Sequence, residues 1–185
     1  MEEISRVSGS VGLTLAAHIS LGTGPIFSVG TDEQKKKYLP SLSNGEHFGV
    51  VAVTEPTGGS DLLGMTTQAA PTDGGYTING RKCYITNSHL CNTPLIIAKT
   101  GEGPRGMSAF VVEKGTPGLT TGKKEEKHGI RASNTASVIL EDVDVPVENL
   151  IGGVEGEGLK QANAVFGYTR LMVGAFGLGG GQGAL

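Results

Sequence analysis

Tyr76-Thr77-Ile78-Asn79-Gly80-Arg81-Lys82-Cys83-Tyr84-Ile85-Thr86 is the stretch on which the fold turns. Two runs of strand length, residues 76–78 and 82–86, flank Asn79-Gly80. Asn-Gly is a strong hairpin signal because both turn positions call for positive φ, so two antiparallel strands are expected here. Further strands are predicted at residues 48–53, 95–99, 108–113, 119–123 and 136–140. Gly and Pro turns separate them at short intervals, the pattern of an antiparallel sandwich or barrel between about residues 46 and 155.

Helical periodicity lies on either side, which makes the expected class α+β. Ile4, Val7, Val11, Leu15 and Ile19 recur at three- and four-residue steps and fall on one helical face. Gly22, Gly24 and Pro25 are expected to interrupt that helix. Thr31 with Gln34 forms a capping box, so a second helix starts there and is expected to end near Pro40. Lys35, Lys36 and Lys37 read as its solvated face. From about residue 156, Leu159, Ala162, Phe166, Thr169, Val173 and Phe176 define a last helix. Glycines at 167, 174, 177, 179, 180, 181 and 183 weaken it, each by about 1 kcal/mol against alanine. Such a helix needs close packing against others, and the sequence reading finds none to supply it. The expected organisation is helical over 1–45, β over 46–155 and helical over 156–185.

Composition narrows the function. The chain has 185 residues, of which 31 are Gly and 8 Pro, with no three-residue glycine period, so collagen is excluded. Apolar residues at 37% and charged residues at 18% point to a folded, turn-rich chain rather than a disordered one. A net charge of −3 argues against electrostatic binding to nucleic acid or to an anionic membrane. No apolar run is read as reaching the ~18 residues of a membrane span. Met1-Glu2-Glu3 lacks the positive start of a signal peptide, and a cytoplasmic location is expected. Cys83 and Cys91 match neither a redox pair nor a zinc spacing, so two free thiols are expected.

Several motif-like stretches have plainer readings. Gly101-Glu102-Gly103-Pro104-Arg105-Gly106 fits a dinucleotide fingerprint by letter, but a strand rather than a helix follows it, which makes it a hairpin loop. Gly58-Gly59-Ser60-Asp61-Leu62 lacks the second glycine of a nucleophile elbow. His18, His47, His89 and His128 show no ligand spacing, and no metal site is expected. Lys123 to His128 reads as a mixed-charge exposed loop.

Val53-Thr54-Glu55-Pro56-Thr57-Gly58-Gly59-Ser60-Asp61 is more demanding. A strand that ends in hydroxyls and glycines offers free N–H groups and short donors, which suits a flat heterocycle or a phosphate. In the second segment, residues 84 and 86 share a face at period two, so the Tyr84 ring and the Thr86 hydroxyl are expected to point the same way.

These motifs, with Gln34-Lys35-Lys36-Lys37-Tyr38-Leu39-Pro40 before them and Glu141-Asp142-Val143-Asp144-Val145-Pro146 after them, occur in an order that resembles the acyl-CoA dehydrogenase family. The resemblance runs through nearly the whole chain but covers only about half of a family member, which implies a fragment. It implies FAD in a crevice between a β domain and helical domains. Val53 and Thr54 would meet the flavin edge, and Gly59 and Ser60 the ribityl–pyrophosphate region, with Ser60 also bordering the thioester. Tyr84, where the family usually has Trp, would cover one flavin face. Ile85 belongs to the same segment, and Thr86 would bond near flavin N5. Thr169 and Arg170 would belong to the substrate region, Arg170 as charge partner of the CoA moiety.

The family's reaction needs a carboxylate base, hydrogen bonds to the thioester carbonyl and a flavin hydride acceptor. Most members place the base in the C-terminal domain, and Thr169 stands where a minority place it. No catalytic residue is therefore assigned within this chain. The resemblance implies an acyl-CoA substrate, an electron-transferring flavoprotein as electron acceptor, and a homo-oligomer for the complete enzyme. The alternatives are a non-catalytic β module with residual flavin or CoA affinity, and a related flavoprotein oxidase.

Overall fold

Seven strands form one curled sheet in the computed structural model, which describes residues 1–185. They are β1 (Gly49–Ala52), β2 (Gln68–Thr72), β3 (Gly75–Thr86), β4 (Thr93–Lys99), β5 (Met107–Val111), β6 (Leu119–Thr121) and β7 (Thr135–Pro146). The order is β1-β4-β2-β3-β7-β6, with β5 paired to β4. The α+β class and a mainly antiparallel sheet are as expected, although β1 and β2 both run parallel to β4.

The expected hairpin at Asn79-Gly80 is replaced by one continuous strand, β3. The tight turn lies upstream at Asp73-Gly74, which joins β3 to β2, a strand that sequence reading missed. Gly80 serves a close crossing rather than a turn, since a Cβ there would come within 2.7 Å of the Thr67 backbone. Two register shifts along the β3–β7 ladder mark bulges on either side of it.

Alternation along the strands feeds two cores. Ile96 and Ala98 of β4 join Val50, Ile78, Phe110 and Leu140 inside the curl. Leu95 and Ile97 face outward to Ile26, Tyr38, Leu42 and Ile151 beneath the helices. This second core seats the helical layer on the sheet and so fixes where helix and strand meet at the site.

The N-terminal helices differ from expectation in three ways. Ser8 breaks the first helix into α1 (Glu2–Val7) and α2 (Gly9–Ala16), its hydroxyl capping α2. The predicted apolar face is largely exposed at Val7, Val11 and Ile19, while Ser5, Gly12, Ala16 and Ala17 are buried. Small residues are buried there because the backbones come close. The helix also continues through Gly22 and Pro25, as a π-helical stretch (Ala17–Thr23) and then α3 (Gly24–Val29). Pro25 sits in the first turn of α3, where its missing N–H costs least. A Cβ on Gly22 would lie 2.0 Å from Gly49 of β1, so glycine here permits contact rather than breaking the helix. By length and composition Gly9–Val29 could cross a membrane, contrary to the sequence reading; here it lies against β1. Buried His18 ties the two, as Gly49 N donates to its Nδ1 (3.1 Å) and its Nε2 meets Leu42 O (3.0 Å).

The capping box of α4 (Asp32–Ser43) forms as expected, but the helix runs past Pro40 by one turn. Gln34 Nε2 also donates to Glu148 O and Leu150 O, each at 2.8 Å, fastening α4 to the chain just after β7. The last helix, α5 (Gly158–Ala184), does find a partner: it packs along α1. A Cβ on Gly179 or Gly183 would lie 2.1 or 2.2 Å from the carbonyl oxygens of Glu2 and Arg6. Those two glycines allow the approach. Both cysteines are free and buried, and Gly101–Gly106 closes the β4–β5 hairpin, as expected.

Candidate functional site

Strand ends and helices meet at a cleft of about 460 Å³. Val53 and Thr54 leave β1, Gly59 and Ser60 lie on the loop after it, and Tyr84, Ile85 and Thr86 end β3; all seven line the cleft. Asn163, Phe166 and Arg170, spaced by three and four on one face of α5, form the helical wall with Ala17 and Leu21. Val50, Val51 and Leu62 complete it.

The sequence-predicted cofactor residues are thus gathered in one place, with Arg170 the single cation among the lining residues. Thr169 is not among them. It points into the packed side of α5, where its hydroxyl donates to Val165 O at 2.8 Å, because a one-residue step turns a helical side chain by about 100°. Ile85 is buried and serves as an apolar floor, whereas Tyr84 is 68% exposed.

A buried ion pair holds the loop. Glu55-Pro56-Thr57-Gly58 closes a turn through mutual backbone bonds of 3.0 and 3.1 Å between Glu55 and Gly58. The Glu55 carboxylate accepts from Thr66 N (2.6 Å), Thr66 Oγ1 (2.6 Å), Thr67 N (3.0 Å) and Lys82 Nζ (2.8 Å). Lys82 Nζ also donates to Val53 O at 3.2 Å. Both side chains are sealed from water. Burial would raise the Glu55 carboxyl, but the bonds from Lys82, Thr66 and Thr67 outweigh it and hold the group at about 2. Burial pulls the Lys82 ammonium down, opposed by Glu55. Sequence reading missed this pair, although a signal exists: Lys82 is in phase with the inward-facing Tyr76 and Ile78, and an inward lysine requires an acidic partner.

The second bulge shapes the cleft directly. Cys83 and Tyr84 stand opposite Ser137 alone, and Tyr84 takes a left-handed φ of 58°. Cys83 N is turned off the ladder to donate to Thr54 O at 2.8 Å, which couples the end of β3 to the loop. Simple period-two alternation therefore does not hold between residues 82 and 86, yet Tyr84 and Thr86 both reach the cleft.

A flat, polar-edged heterocycle fits this lining. The hydroxyls of Thr54, Ser60 and Thr86 have no partner within the chain, and the N–H groups of Gly59 and Ser60 are likewise free. A Cβ on Gly59 would press on Thr54 Cγ2 at 3.3 Å. The lining holds apolar surface, an exposed aromatic ring and a cation, but no Asp or Glu.

Known proteins carry the same elements. Family descriptions for the acyl-CoA dehydrogenase N-terminal domain and middle domain match residues 1–46 and 50–143. An acyl-CoA dehydrogenase of Bacillus subtilis (strain 168) is 44% identical over 100% of this chain and 49% of its own length. The chain therefore spans about half the length of the curated relatives it matches. The butyryl-CoA dehydrogenase structure from Megasphaera elsdenii superposes with a TM-score of 0.93 at 41% identity, covering 96% of this chain and 47% of that one. An acyl-CoA dehydrogenase from Bacillus anthracis, solved in complex with FAD, superposes at 0.90 and 40% identity, over 96% of this chain and 30% of that one. With both domain descriptions matched and the predicted cofactor residues gathered on one cleft, the chain belongs to the acyl-CoA dehydrogenase family.

Proposed function

We propose that these residues form the FAD-binding and part of the substrate-binding half of an acyl-CoA dehydrogenase, which removes hydrogen from Cα and Cβ of an acyl-CoA thioester to give the trans-2-enoyl-CoA. The observation that carries this reading is the convergence of Val53, Thr54, Gly59, Ser60, Tyr84, Ile85 and Thr86 with Arg170 on one cleft. FAD is the cofactor, and supplies the acceptor for the hydride that leaves Cβ. Thr54, Ser60 and Thr86 offer it short donors, Tyr84 covers a ring face, and Ile85 excludes water beneath it. Arg170 pairs with the anionic CoA portion. Electrons pass on to an electron-transferring flavoprotein.

The α-proton requires a carboxylate, and none lines the cleft. No residue lining the cleft can serve as that base, so these residues alone are expected to bind without turning over. Titration of the 185-residue chain with FAD, followed by quenching of flavin fluorescence, tests the site. Saturable quenching that weakens at least tenfold in Thr86→Val is the expected result. Absence of saturation overturns the reading, as does turnover of any acyl-CoA by these residues alone.

A further inference from the structure

The helical wall of the cleft carries a polar group to which nothing above gives a use. Asn163 is exposed on α5 and lines the cleft. The side-chain hydrogen bonds of that stretch belong to Lys160, Gln161 and Thr169, and the Asn163 carboxamide takes part in none of them. Asparagine is also a poorer helix former than alanine, so the residue does not serve the helix it stands on.

Its place on α5 is informative. Asn163 and Arg170 share a face two turns apart, about 10 Å along the axis. Gly167 lies between them, within about 40° of the line that joins them. It is exposed, and a Cβ there would meet nothing within 4 Å. The wall between carboxamide and guanidinium is therefore bare backbone, open to an extended chain. Half-buried Phe166 borders this track on the side of the sheet, beside Leu95 and Ile97.

The lining groups differ in what they can bond. Arg170 only donates, and the hydroxyls of Thr54, Ser60 and Thr86 turn either way. No carboxylate is present, and Asn163 supplies the lining's one side-chain carbonyl, an oxygen that only accepts. The arm that joins a CoA thioester to its phosphates presents N–H groups, in two secondary amides. Resting on the reading of this cleft as an acyl-CoA site, we propose that Asn163 is a substrate-binding residue. Its Oδ1 accepts the N–H of the amide nearer the thioester, while the arm runs over Gly167 and brings the phosphates to Arg170.

Amide chemical shifts of the 15N-labelled chain, in saturating FAD, test this with butyryl-CoA. Saturable shifts are expected at Asn163, Phe166, Gly167 and Arg170, and Asn163→Ala should weaken binding at least threefold with FAD affinity unchanged. Two fragments isolate the bond: S-butyryl-N-acetylcysteamine, which keeps the amide, and S-butyryl-2-mercaptoethyl acetate, with an ester oxygen in place of its N–H. The amide should bind the unsubstituted chain at least threefold more tightly than the ester, and the two should bind Asn163→Ala equally. An amide preference that survives Asn163→Ala, or none in the unsubstituted chain, overturns the assignment. A chain that binds FAD but shows no butyryl-CoA shifts on α5 overturns this assignment alone, whereas failure to bind FAD removes the functional reading with it.

Discussion

The β3–β7 ladder carries two bulges, and they are built in opposite ways. Away from the cleft, the extra residue is on β7: Glu141 and Asp142 stand opposite Asn79, with Asp142 at φ 49°. The Asn79 side chain braces it, donating from Nδ2 to Asp142 Oδ1 (3.0 Å) and accepting from Asp142 N (2.8 Å) in full solvent. Nearer the cleft, the extra residue is on β3, at Cys83 and Tyr84, and its support lies beneath the surface, where Lys82 is locked to Glu55. The first bulge is closed by the Asn79 side chain of the facing strand and presents nothing to a ligand. The second presents an exposed ring and relies on a buried charge pair for position. A strained backbone next to a cleft, held by its surroundings, is the arrangement expected of a binding site.

Breaking the buried support should have the largest effect. Lys82→Met leaves the Glu55 carboxylate sealed from water without its cation, and about 3–5 kcal/mol of unfolding free energy should be lost. Urea denaturation measures it. Glu55→Gln combined with Lys82→Met should recover part of the loss, because no uncompensated charge then remains. A loss below about 1 kcal/mol in the single variant would show that the pair is not the anchor.

The same support has a pH signature. Glu55 is held at about 2, against an ordinary value of 4.5, so its contribution is fully present above about pH 4.5 and disappears as pH falls toward 2. The unfolded chain takes up the proton first, which makes acid destabilising. Glu55→Gln should be less stable at neutral pH and show a shallower decline across that window. Identical slopes would assign the acid sensitivity to other carboxylates.

The contrast also explains what was legible in the sequence. The strand-rich middle, the capping box at Thr31 and Gln34, and the two cleft motifs were readable because each is a local pattern. Asn79-Gly80 misled because both residues have uses outside a turn: Asn79 braces a bulge on another strand, and Gly80 makes room for Thr67. Neither neighbour is local in sequence. The glycines of α5 misled similarly, since the helix that Gly179 and Gly183 admit is at the opposite end of the chain. Thr169 is implied by the family resemblance of its segment, whereas helical rotation puts it and Arg170 on different faces.

At the solvent-braced bulge the expected effect is smaller. Asn79→Ala removes two exposed hydrogen bonds and leaves Asp142 unsupported in a left-handed conformation. The cost should be about 1 kcal/mol in thermal or urea unfolding, with FAD affinity unchanged. A coupled loss of FAD binding would show that the two bulges communicate along β3.

Tyr84 gives the finest test, because its strained backbone and its exposed ring predict opposite signs for stability and binding. Its φ of 58° is costly for a tyrosine and natural for glycine, and its ring, 68% exposed, contributes little to the core. Tyr84→Gly should leave stability unchanged or raise it by up to about 1 kcal/mol, yet weaken FAD binding several-fold through loss of the stacking face. Thermal unfolding and flavin fluorescence on the same preparation separate the two. A variant that loses stability and keeps its FAD affinity would mean the ring is structural. The opposite result would show that backbone strain at this bulge is maintained for the sake of the ring it presents to the cleft.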